Sequence, residues 1–296
     1  MNRKLGLLLV CAGLIVPVTA CSNGSNTSSS SSTTTESSAA AGGAASAAPG
    51  AGQGSSITIA GSTALLPLVK QASQDYQSKN SQAKVSVSGG GSRVGITQAA
   101  QKGVDIGDSD IPAPDQPALV DHQVAVVQFD VVVNPASGVK KLTSAQVQQI
   151  FSGKTTNFKD VGGKDQAITI INRPRSSGTR AVFVQKFMSG QQPIEGGATQ
   201  DSSGTVASIV GQTPGAISYL AHSYVKGGQI VALSIDGVDA TPDNVKSGKY
   251  KFWSYEHMFT DGPPRPEVNA FINFVKTDTS AIDALGFIPV GDMKAK

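Results

Sequence analysis

The chain has 296 residues, 39% hydrophobic and only 5% aromatic, and its 24 basic against 21 acidic residues give a formal net charge of +3. That near-balance, with no clustered Lys/Arg run and few aromatic platforms, excludes the basic face that nucleic-acid binding requires. The two cysteines, Cys11 and Cys21, exclude a disulfide framework because Cys11 lies inside an apolar leader run.

Residues 1–20 place Arg3 and Lys4 before an apolar run from Leu5 to Val16 and close on small residues. This is the grammar of a secretory leader rather than of a spanning helix, and it sends the chain out of the cytoplasm. Val18-Thr19-Ala20-Cys21 resembles the lipobox of bacterial lipoproteins, which implies cleavage before Cys21 and lipidation, palmitate included, on its thiol. From Ser22 to about Ser55 the chain is almost wholly Ser, Thr, Ala, Gly and Asn with Glu36 as its only charge, so it has nothing to bury. Residues 21–55 are expected to be a lipidated flexible tether with a reach of roughly 30 Å. Later segments lack the apolar length to span a bilayer. The remaining body, about 240 residues from Ser56 to Lys296, is large enough for one big core or two smaller ones.

Ser56 to Ala60 alternates like a strand and runs into Gly61-Ser62-Thr63, after which Leu65, Leu68, Val69, Ala72 and Tyr76 recur at helical spacing. Pro67 falls near the helix start, where its missing N–H costs least. Lys84 to Ser88 reads as a second strand that enters Gly89-Gly90-Gly91-Ser92 before a short helix stopping near Gly103. Val104 to Asp110 is a third strand-like run, delivering Asp110 at its C-terminal end. Val124 to Val133, valine-rich with Asp130 in its middle, is long for one strand and suits a crossing between two bodies. Thr143 to Phe151 reads as a capped helix closed by Gly153, and Ala167 to Ile171 as a buried strand.

That strand feeds Asn172-Arg173-Pro174-Arg175-Ser176-Ser177-Gly178-Thr179-Arg180. Ala181, Phe183, Val184, Phe187 and Met188 then give a helical apolar face ending at Gly190, which makes Ser177 the expected N-cap. Unpaired N–H groups and the helix dipole favour an anion there, and Arg173 adds a planar donor set matched to phosphate or carboxylate. The plainer alternative is an ordinary cap beside solvated arginines. Further on, Val206, Ile209 and Val210 suit a short helix before Pro214-Gly215, Ala216 to Leu220 a strand, and Phe271, Phe274 and Val275 an amphipathic helix. Residues 229–268 carry no diagnostic segment, and Trp253, Tyr255 and Phe259 are expected to pack near a crossing. Alternating strands and helices predict an α/β architecture with largely parallel sheets and ligands at the carboxyl ends of strands.

An enzyme is disfavoured: His122, His222 and His257 are widely spaced without a metal-ligand pattern, and Ser92 lacks a Gly-x-Ser-x-Gly elbow because residue 94 is valine. Neither a catalytic residue, a metal nor a cofactor is expected.

Gly61 to Pro67, Gly90 to Gly95, Asp108-Ser109-Asp110 and Arg173 to Arg180 resemble, in order and spacing, the phosphate-binding lipoproteins of high-affinity phosphate ABC importers. Gln149 to Lys154, Asn157-Phe158, Thr213 to Tyr219, Phe271 to Val275 and Gly286 to Pro289 extend the likeness. The resemblance implies a two-lobed type II binding-protein fold that closes over inorganic phosphate and presents it to a membrane permease, as a monomer held by its lipid anchor. It implies ligand contacts from Ser62, Thr63 and Ala64, with the hydroxyl supplied by either Ser62 or Thr63, and from Ser92, Asp110, Arg173, Ser177, Gly178 and Thr179. Some relatives carry an acidic residue where this chain has Arg175. Asp110 would repel a dianion about 4 Å away by about 4 kcal/mol at an effective dielectric of 20. As an acceptor, however, it suits protonated phosphate and rejects sulfate, which has no O–H to give. Another oxyanion, or a small phosphorylated compound, is the alternative ligand. The expected lobes are 56–130 with 251–296, and 131–250, joined by two crossings.

Overall fold

The computed structural model describes residues 56–195 and 197–294. The leader, Cys21 with its expected lipid, and the tether all lie outside them.

The first part of the described chain is β1 (Ser56–Gly61), α1 (Leu66–Lys79), β2 (Lys84–Ser88), α2 (Ser92–Ala100), β3 (Ile106–Ser109) and the long β4 (Leu119–Val133). The middle holds β5 (Lys141–Leu142), α3 (Ser144–Phe151), β6 (Thr169–Asn172), α4 (Gly178–Phe187), β7 (Ala198–Thr199), α5 (Ser203–Gln212) and β8 (Ala216–Ala221). The last part adds β9 (Val231–Ala232), β10 (Ser234–Ile235), α6 (Pro242–Lys246), β11 (Trp253–Asp261), α7 (Pro266–Thr277), α8 (Thr279–Ala284) and β12 (Phe287–Ile288). Local chemistry sets several of these starts. Thr143 and Gln146 form a reciprocal capping box on α3, while Ser177 and Ser202 cap α4 and α5 through their hydroxyls.

The main sheet has the order β2-β1-β3-β11-β4-β8-β6-β7, with β9 and β12 also on β4. Its flanks are parallel, β1 with β2 and β3, and β6 with β7 and β8. Its centre is not: β11 runs antiparallel to β3 and β4, and β4 antiparallel to β8. The sheet is therefore mixed rather than largely parallel, because the chain crosses the molecule outward on β4 and returns on β11. Leu119 to Gln128 of β4 pairs with β11 and Phe129 to Val133 pairs with β8, so one strand belongs to both halves of the sheet.

From Val124 onward β4 is buried on both faces, which explains its near-continuous run of valines. Around it Phe252 packs against Phe129, Phe183 and Phe187, and Phe183 stacks on Tyr219 with ring centroids 4.0 Å apart. Trp253 lies opposite Gln128 at this crossing and meets Tyr255 edge to face, while Phe259 joins Ile96 and Ala99 in a smaller cluster. Among the described residues no helix is long and apolar enough to cross a membrane.

Candidate functional site

The loops that follow β1, β2, β3 and β6 meet at one buried polar cluster, and the start of α5 joins them. Gly61 ends β1 with φ +143°, and a Cβ there would lie 2.1 Å from the Asp108 carbonyl, so only glycine lets β1 and β3 approach so closely. The turn after it is closed by Ser62, whose N–H donates to the Asp108 carbonyl at 2.9 Å. The Ser62 hydroxyl accepts from the Ala64 and Leu65 N–H groups at 3.0 and 3.2 Å and donates to the Asp110 carboxylate. Ser92 begins α2, and its hydroxyl accepts the Asp110 N–H at 2.9 Å, fixing the aspartate where β3 ends.

Asp110 also accepts the Thr179 hydroxyl at 2.7 Å. Each of its oxygens thus holds one O–H donor and keeps lone-pair capacity for another. Gly178 sits between these groups: a Cβ on it would meet the Ser92 hydroxyl at 2.2 Å and the Asp110 Cβ at 2.9 Å. Ser177 spends its hydroxyl on the Arg180 N–H at 3.2 Å as the N-cap of α4.

Arg173 is 1% exposed, and four bonds donated by its guanidinium and one accepted by its carbonyl fix it. Its Nε donates to the Gln200 carbonyl at 3.0 Å, and Nη2 to the Asp201 carbonyl at 2.6 Å and to Thr63 Oγ1 at 3.1 Å. Nη1 reaches the Ser203 hydroxyl at 3.3 Å, and Arg180 holds the Arg173 carbonyl at 2.6 Å. Burial draws the Arg173 pKa down, but a guanidinium stays cationic at any physiological pH. The Thr63 carbonyl accepts the Tyr224 hydroxyl at 2.7 Å, and burial pushes that phenol up to about 12, so it remains a donor.

Two further carboxyl groups lie beside the cluster. In the antiparallel register of β11 and β3, Met258 opposes Asp108 and His257 opposes Ser109, and Glu256 precedes His257 at an irregularity in β11. Glu256 is fully buried with both oxygens unpartnered among the described residues, and one Asp108 oxygen is equally bare. Burial, then the charge of Asp110, pushes both carboxyls well above the ordinary range.

All nine expected contact residues are buried here: Ser62, Thr63, Ala64, Ser92, Asp110, Arg173, Ser177, Gly178 and Thr179. Arg175 is not among them, for its side chain is exposed and pairs with Glu195 at 3.1 Å. The sequence reading missed Ser203, Tyr224, Asp108 and Glu256. One signal was available, since Ser176-Ser177-Gly178-Thr179 recurs as Ser202-Ser203-Gly204-Thr205, and both copies open a helix onto the cluster. Tyr224 and Glu256 carried none, being brought in only by tertiary packing. The histidines serve elsewhere: His257 bonds Asp121, His122 bonds Thr260, and His222 bonds Asp130 at 2.6 Å. Among the described residues no group of three or more His, Cys, Asp or Glu side chains is placed to hold a metal.

Helix N-termini, hydroxyls and one buried guanidinium converging in this way make an anion-binding arrangement. The comparisons agree with it. A family model described as a PBP superfamily domain matches residues 17–279. The phosphate-binding protein PstS of Bacillus subtilis is 42% identical over 99% of this chain and 96% of its own length. Among solved structures, a substrate-binding protein assigned to phosphate ABC transport from Clostridium perfringens, with bound phosphate, is 27% identical with a TM-score of 0.73. That likeness covers 80% of this chain and all of the other. An ABC-type phosphate transport receptor from Vibrio cholerae is 26% identical with a TM-score of 0.64, over 78% of this chain and 99% of its own.

Proposed function

The chain belongs to the PBP superfamily and, within it, to the family of the PstS phosphate-binding proteins, and from that membership we propose that it captures inorganic phosphate in the buried cluster around Asp110 and Arg173. It is the phosphate-binding component of a phosphate ABC transporter, a binding protein and not an enzyme. The observation that carries the site assignment is Arg173, wholly buried yet cationic, set beside the hydroxyls of Thr63 and Ser203 and joined through Thr63 and Thr179 to the loop that holds Asp110.

In this reading the lobes are 56–130 with 251–296, and 131–250. Thr63 to Arg173, Thr179 to Asp110 and Tyr224 to Thr63 are then bonds between lobes, and ligand favours closure because the two lobes each supply half of its donors. Phosphate is contacted by Arg173, Ser92, Ser177, Gly178, Thr179 and the Ser62-Thr63-Ala64 turn, with the hydroxyl of that turn coming from Ser62 or Thr63, and where Ser62 or Thr179 donates to the ligand it gives up its bond to Asp110. Asp110 accepts the phosphate O–H and so discriminates against sulfate. The loaded protein works as a monomer that hands phosphate to the permease subunits. The leader and Cys21 support an extracytoplasmic position on a lipid anchor.

The test is calorimetric titration of the chain, stripped of carried-over anion by unfolding and refolding, with phosphate and then sulfate at neutral pH. One-to-one phosphate binding with negligible sulfate heat is expected. Equal binding of sulfate would overturn the role given to Asp110, and no heat from either would overturn the ligand.

A further inference from the structure

We propose that an arginine-lined groove on the outer side of the cleft seam is an anion vestibule, which gathers inorganic phosphate and raises the rate at which it reaches the buried cluster. This rests on the phosphate reading above.

The groove has a volume of about 590 Å³ and carries the guanidinium groups of Arg93, Arg175 and Arg180, with Ser176 and Gln192 beside them. Its position follows from the chain itself. Arg93 is the residue after Ser92, and Ser176 is the residue before Ser177, so the groove is the outer surface of the same two loops whose inner surface holds the cluster. At the seam the Arg93 N–H donates to the Ser176 carbonyl at 3.1 Å, and the Gly91 backbone lies so close that a Cβ would stand 3.0 Å from that carbonyl. An anion approaching the seam from solvent meets these arginines first.

Their bonding separates their roles. Arg180 is buried and committed to the Arg173 carbonyl, Gln192 and Glu195, so it frames the groove rather than reaching outward. Arg175 is largely exposed and shares Glu195 with Arg180, while Arg93 is exposed and has no salt-bridge partner among the described residues. Three guanidinium charges against one carboxylate leave the groove net positive on a chain whose overall formal charge is only +3. Attraction of a small dianion is therefore local to the seam. Charges lining a concave surface raise association rates, and salt screens the effect within about 8 Å at physiological ionic strength. Neither Arg93 nor Arg175 donates a side-chain bond to the buried cluster, so their contribution falls on capture and not on retention.

The experiment is stopped-flow measurement of phosphate association and dissociation for the full chain and for Arg93→Gln, Arg175→Gln and the double variant, from low ionic strength to 0.5 M salt. A Lys164→Gln variant, on an exposed surface away from the groove, is the charge control. The double variant should associate about tenfold more slowly at low ionic strength, lose most of its salt dependence and keep the wild-type dissociation rate, while the control matches wild type. An association rate that is unchanged, or a loss confined to dissociation, overturns the vestibule while leaving the phosphate site standing. Failure of the wild-type chain to bind phosphate at all overturns the site, and the vestibule with it.

Discussion

Single side chains in the cluster carry opposite kinds of cost. Arg173 is stabilised by four acceptors, so Arg173→Ala removes the buried cation of the cluster and strands the carbonyls of Gln200 and Asp201 together with the hydroxyls of Thr63 and Ser203. Hydrogen bonds to charged groups are each worth about 1.5–3 kcal/mol, so the phosphate Kd should rise at least about a hundredfold by titration calorimetry. Arg173→Lys should not restore it, because an ammonium cannot match the planar fork. Glu256 is the reverse case, a carboxyl buried without a partner. The unfolded chain releases its proton near the ordinary value while the fold retains it, so stability falls as pH rises from about 4.5 toward the raised folded value. Glu256→Gln removes that penalty. We expect it to melt about 3 °C higher than wild type at pH 7 and to show a flatter dependence of stability between pH 5 and 8. A lower melting point with an unchanged slope would mean that Glu256 is ionised and paired in the fold.

Between elements, the decisive contact is the meeting of the N-termini of α2 and α4 at Gly178. No side chain fits there, so Gly178→Ala must push Ser92 and Asp110 away from Thr179 by about an ångström or more. The variant should fold with near-wild-type helix content, yet bind phosphate at least about tenfold more weakly and show a larger radius of gyration by small-angle scattering in saturating phosphate. This element-scale geometry was partly legible from sequence. The Gly/Ser/Thr turns after β1, β2 and β6 announced themselves because loops that approach an anion need small residues and free N–H groups. β11 did not, since a strand buried on both faces while carrying Glu256, His257 and Thr260 breaks the alternation that marks strands. The first half of β4 was hidden in the same way by Asp121, His122 and Gln123, and the two-residue strands β5, β7, β9, β10 and β12 are too short to leave any period.

At the scale of the whole molecule, the sheet is held together through β4. One part of that strand takes its partner from residues 216–221 and the other from residues 253–261, so the part paired with β11 is incomplete until the chain has nearly ended. A chain threaded through a membrane N-terminus first would therefore emerge with Leu119 to Gln128 lacking its β11 partner, and could not lock into its final form until β11 had followed. Long-range pairing of this kind folds slowly. Slow closure keeps a chain in transit pliable, and it makes the last fifty residues a checkpoint for the first hundred. A version ending at Tyr250 should accordingly remain open to limited proteolysis across β4, with a broad, non-cooperative melt. If that shortened chain instead protected β4 and melted sharply, the first part would be a self-sufficient unit, and the order of emergence would place no constraint on when the protein matures.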